Sequence, residues 1–118
     1  MVSRETLERI AENQSRFREA NERIEQTADS MGLVGPIPFV CECPTPACTE
    51  LVRIPLSDYE SVRANDRRFF VLPGHEKAAV QSGAGEVAGE DANGHYLLVD
   101  SIGLAGEIAA ERYRDLAD

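Results

Sequence analysis

The chain has 118 residues, a formal net charge of -9, 42% hydrophobic and 28% charged residues and no Trp. That length and composition allow one small domain with appendages and exclude a large enzyme. The acidity is uneven, with -2 over residues 1–31, -1 over 32–75 and -6 over 76–118. The only local basic group, Arg63, Arg67 and Arg68, lies among five acids of the same third, so no nucleic-acid partner is expected through a basic face. The longest apolar stretch, GLVGPIPFV, is far short of the roughly 20 apolar residues of a membrane span. Charges begin at Arg4 with no apolar signal core after them, so the expected location is cytoplasmic, with no membrane partner.

Residues 3–30 contain neither Pro nor Gly and read as one helix. Leu7, Gln14, Asn21 and Ala28 recur at one heptad position, and Ile10, Phe17, Ile24 and Met31 at the other. Glu5/Arg9, Glu12/Arg16 and Glu19/Arg23 supply i,i+4 pairs on the outer side. A stripe this narrow, with polar residues at its centre, suits a two-helix seam better than a broad globular face. Residues 1–31 are therefore expected to associate with a copy of themselves or a protein partner. The seam would run through Leu7, Ile10, Phe17, Asn21, Ile24 and Met31, with Asn21 pairing across a parallel dimer. The competing reading is a helix lying on its own domain.

Residues 32–37, with Gly32, Gly35 and Pro36, break the helix and form a linker. A body over 38–101 then reads as short strands. PFVCEC and TELVRI form a hairpin about the PTPA turn. Ser57 and Glu60 form a capping box that opens a short helix through about Asn65, with Tyr59 and Val62 facing inward. RFFVL and HYLLVDS are further strands. Between them EKAAVQSGAGEVAGEDANG carries four glycines and little periodicity, so a brief helix near Ala78–Gln81 and a mobile stretch over 82–94 are expected. The tail, 102–118, places Leu104, Ala105, Ile108, Ala109, Tyr113 and Leu116 on one helical side. The fold class is α+β: a long N-terminal helix, a small zinc-knuckle hairpin and sheet body with short helices, and a C-terminal amphipathic helix. A body of about 65 residues needs a staple beyond its apolar core.

All three cysteines, Cys41, Cys43 and Cys48, fall within CECPTPACTE. In a strand Cys41 and Cys43 share one face, and the proline turn returns Cys48 opposite them. A structural Zn2+ takes four ligands in a tetrahedron. His75, in LPGHE after a Pro-Gly turn, is the expected fourth ligand. His95, Glu50, Asp58 or water are the alternatives, and Glu42 is expected on the opposite strand face. Buried reduced thiols, a disulfide and a catalytic thiol are the competing readings of the cluster.

FREANERI, IPFVCEC, CTE, L-x-x-YE-x-VR, RRFFVLPGHE and a final YLLV strand give the chain a resemblance to a group of small uncharacterised actinobacterial proteins. The ordered set CEC, C, YE and PGH is its specific part. The Cys and His of that pattern imply a zinc-knuckle arrangement, and the resemblance brings no established activity with it. The chain also lacks the phosphate-loop, HExxH, G-x-S-x-G and zinc-deaminase motifs. The expected function is a non-enzymatic zinc-binding interaction or regulatory protein with one Zn2+ per chain. A zinc-thiolate redox sensor is the alternative, and a small zinc-dependent hydrolase is a more distant one.

Overall fold

Ser3 supplies the first structural decision: its Oγ accepts a hydrogen bond from the Thr6 N–H at 3.2 Å and caps a 27-residue helix, α1, Arg4–Ser30. This is seen in a computed structural model that describes residues 2–117. At the far end Gly32 takes φ +64°, and the Leu33 and Gly32 N–H groups bond back to Ala28 O and Asp29 O. That is a Schellman stop, which needs a left-handed residue at this position. The chain then enters β1 (Pro36–Val40), so the first strand begins inside the stretch read as a linker.

β1 pairs antiparallel with β2 (Leu51–Pro55), Phe39 opposite Val52. The hairpin was expected, but β1 ends at Val40 rather than running through PFVCEC. Helix α2 (Leu56–Arg63) follows β2 without a loop and buries Tyr59 and Val62. Ser57 does not cap it. Pro55 holds the cap position with φ -56°, which is preset for helix entry, so Ser57 already lies within the first turn. A second sheet runs in the order β3 (Arg68–Val71), β5 (Leu97–Ser101), β4 (Gly85–Glu90), antiparallel throughout. Helix α3 (Lys77–Gln81) precedes β4, and α4 (Gly103–Ala117) closes the described chain.

Strand β4 corrects the expectation of a mobile stretch over 82–94. Its glycines mask a strand in the sequence, yet Gly85 meets Val99 and Asp100 so closely that a Cβ there would lie 2.9 Å from the Val99 side chain. A register shift between Val87 and Gly89 absorbs the irregular pattern.

The main core joins both sheets to α1. Phe39 and Tyr59 stack at 4.2 Å, Phe70 meets both edge-on, and Ala28 and Ile24 of α1 pack against the same cluster. A second cluster, Ala11, Ala84 and Ala105 with Leu7, Ile10 and Ile108, ties α1 to α4 through small residues. Much of the heptad stripe is therefore covered by the chain itself. Asn21 is 0% exposed and bonded within the molecule, which corrects its placement on a partner-facing seam. Met31, at the helix end, is 66% exposed. No described helix is long and apolar enough to cross a membrane.

Candidate metal centre

Two elements bring the cysteines and His75 together. After Val40 the chain stays extended, but its bonding partners change: the Cys41 N–H donates to Glu50 O at 3.0 Å, and the Glu42 N–H donates to Phe70 O at 3.0 Å. Residues 41–43 thus bridge the hairpin and β3. Because side chains alternate along an extended segment, Cys41 and Cys43 project to one side and Glu42 to the other. Both cysteines and Glu42 are fully buried.

The outer two donors are each delivered by a proline turn. In Thr45-Pro46-Ala47-Cys48 the Cys48 N–H bonds Thr45 O at 3.1 Å, and in Leu72-Pro73-Gly74-His75 the His75 N–H bonds Leu72 O at 2.9 Å. Proline presets the second residue of such a turn, and Gly74 supplies the left-handed third residue with φ +97°. Cys48 and His75 are half-buried at the mouth of a cleft that Thr49, Glu50 and Lys77 also line.

One donor atom from each of Cys41, Cys43, Cys48 and His75 lies within 4.8 Å of every other. His75 Nδ1 is 3.6 Å from Cys41 Sγ and 3.7 Å from Cys48 Sγ. Bonds of about 2.3 Å to sulfur and about 2.0–2.1 Å to nitrogen in a tetrahedron place sulfur and nitrogen about 3.6 Å apart. The four side chains can therefore hold a metal ion with little rearrangement. The Leu72 N–H also donates to Cys41 Sγ at 3.4 Å and helps orient it.

The three thiols influence one another's protonation. The hydrogen bond from the Cys41 thiol, with a further one from His75, holds the Cys43 thiol down to about 4. That same bond and burial push Cys41 well above the usual thiol range, and burial pushes Cys48 up. On its own charges the cluster favours one thiolate, because neighbouring like charges resist a second. A divalent cation held there would reverse that preference and favour all three sulfurs as anionic ligands.

The other expected candidates lie elsewhere. The His95 side chain is 69% exposed and faces Asp91. Asp58 lines a separate cleft with Tyr96. Glu50 is at the cleft mouth, outside the four-residue cluster. Glu42 is on the opposite face, as expected, where Arg18 Nε and Nη2 donate to its two oxygens at 2.7 Å each. The Arg18 guanidinium also lies 4.7 Å from the centre of the Phe69 ring. Burial alone would lower the Arg18 pKa, but Glu42 more than offsets it and holds the guanidinium charged. Sequence reasoning missed this pair. Its signal was Glu42 flanked by two buried cysteines, a carboxylate that needs a buried cation once the strand alternates.

Comparison with protein families, curated proteins and solved structures finds no match to this chain.

Proposed function

We propose that this is a non-enzymatic zinc-binding interaction or regulatory protein in which Cys41, Cys43, Cys48 and His75 hold one structural Zn2+ as a zinc knuckle. The observation that carries the reading is the pair of sulfur–nitrogen separations, 3.6 and 3.7 Å, in a Cys3His set. Soft thiolates with an imidazole favour zinc over harder cations. Four protein donors fill a tetrahedron and leave no position for a substrate, which separates a structural site from a hydrolytic one. Three free cysteines suit a reducing, cytoplasmic setting. Exposed Met31, Leu33 and Val34 just after α1 support a protein partner at that end of the helix.

Elemental analysis of chain purified without chelator tests the metal. About one zinc per chain is expected, lost in Cys43→Ser and His75→Ala and kept in His95→Ala. Fresh protein that carries no zinc, and takes up none from an equimolar solution, would overturn the reading.

The placement of Cys48 at the cleft mouth favours a redox-sensing role as the second reading. There, two ligand thiolates would give two electrons to hydrogen peroxide and, with two protons, form a disulfide and two waters as the zinc leaves. Zinc release at low peroxide that a thiol reductant reverses, with refolding, would favour this reading over a purely structural site.

A further inference from the structure

Helix α1 grips the ligand segment at every second residue. Asn21 takes both backbone groups of Val40: its Nδ2 donates to Val40 O and its Oδ1 accepts the Val40 N–H, each at 2.8 Å. Arg18 takes the Glu42 carboxylate, which Asn21 Nδ2 also reaches at 2.9 Å. Asn13 Nδ2 donates to Pro44 O at 3.0 Å. Residues 40, 42 and 44 thus face the helix, while 41 and 43 between them supply sulfur. The helix runs down as the segment runs up, so the three contacts form an antiparallel ladder.

These contacts sit deep in the molecule. Asn21 is 0%, Arg18 2% and Asn13 8% exposed. A buried amide bonded through both its donor and its acceptor to a single residue fixes that residue in position and rotation. Val40 immediately precedes Cys41, and Pro44 immediately follows Cys43. The ladder therefore pins both ends of the two-cysteine segment.

We infer that Asn13, Arg18 and Asn21 are positioning residues of the metal site, holding the Cys41 and Cys43 sulfurs at ligand spacing so that helix α1 sets the metal affinity. This rests on the reading of the cluster as a metal site. Outer-shell groups of this kind change metal affinity by about 10–100-fold when removed. The coupling is reciprocal: whatever factor the helix contributes to metal binding, the bound metal contributes to seating the helix.

The test uses the full chain with Co2+ as the probe, its thiolate charge-transfer and d–d bands reporting binding, and a competing chelator measuring affinity. Asn21→Ala and Asn13→Ala are each expected to lower Co2+ affinity about tenfold or more. Their helix content and the spectrum of a tetrahedral three-sulfur, one-nitrogen site should persist. Asn13→Gln, which keeps an amide donor, should recover part of the loss. Ala11→Gly is the control. It is buried in the same helix but packs against Ala84 and Ala105, so it should lower thermal stability and leave Co2+ affinity within about twofold, since its contacts are remote from the ligands.

If Ala11→Gly weakens Co2+ binding as much as Asn21→Ala at equal loss of stability, the helix acts only through the global fold and the inference fails. Unchanged affinity in both asparagine variants overturns it too. Should Asn21→Ala not fold, Asn13→Ala at the end of the ladder decides the question. A wild-type chain that takes up no Co2+ overturns the metal reading itself, a result distinct from wild-type binding that the asparagines do not influence.

Discussion

The two faces of Cys41-Glu42-Cys43 solve the same problem in opposite ways. One face carries a carboxylate met by a guanidinium, an asparagine amide and the Phe70 N–H, all from this chain. The other carries three thiols and an imidazole whose own charges favour a single thiolate. The carboxylate of the first face finds its partners within the polypeptide, whereas the second face gathers four donors that could hold a metal ion. Extended backbone makes the contrast possible, because neighbouring residues face apart and can satisfy unrelated chemistry within a few ångströms.

The sharpest way to break this contrast is to remove the cation that the chain supplies. Arg18→Met should cost about 3–5 kcal/mol in a denaturant titration, since it strands Glu42 in the core. Arg18→Met combined with Glu42→Met should recover most of that loss, because the cost lies in the unpaired charge rather than in the missing pair. A double variant as unstable as the single would show that packing, not charge, dominates here.

With zinc held as proposed, the second face should respond to the ion instead. At free zinc one hundred times the dissociation constant, the midpoint of unfolding should rise by the equivalent of about 2.7 kcal/mol over chelated protein. Hydrogen exchange should quicken on chelation around residues 41–48 and 72–75, while the amides of β4 and β5 change little. Uniform acceleration would mean that the two faces do not behave as separate units.

A smaller effect concerns Tyr59, stacked on Phe39 and bonded to Glu22 at 2.7 Å. Burial holds its hydroxyl above the ordinary tyrosine range. The folded chain therefore keeps a proton that the unfolded chain gives up. Stability from this group is whole below about pH 10 and falls as pH rises beyond it, by at most about 1.4 kcal/mol per unit. In Tyr59→Phe the alkaline decline should be shallower, and an identical slope would move the effect to other groups. Smallest of all, Glu12→Ala should change stability by no more than about 0.5 kcal/mol, because its bond to Arg112 lies at the surface and is screened.

Helical and alternating patterns were legible in the sequence wherever a residue's neighbours along the chain decide its state. The long helix, the hairpin, the third and last strands and the closing helix all belong to that class. Cys41, Cys43 and Cys48 were legible as a group because they fall within eight residues, and His75, 27 residues beyond Cys48, was legible because a Pro-Gly turn precedes it and the chain has only one other histidine. Two features were not. Strand β4 depends on what Gly85 fits against, a contact with Val99 that no local pattern records. Asn21 read as a seam position because polarity in a heptad is the same whether a partner helix or the chain's own strand lies opposite. The hydrogen bonds of Asn21 to Val40, 19 residues away, decide for the strand.

The ladder between α1 and the ligand segment has a consequence for how the chain finds its fold. Its contacts span 19, 24 and 31 residues, from Asn21 to Val40 outward through Arg18 to Glu42 and Asn13 to Pro44. Formed independently, the longest would cost only about 0.4 kcal/mol more in closure entropy than the shortest. Formed in sequence they cost far less, because closing Asn21 on Val40 leaves each later contact only a few residues of slack. The Schellman stop at Gly32 lies inside all three loops, so one turn serves every rung of the ladder. A residue at position 32 that resists the left-handed conformation would disfavour the turn that all three closures share.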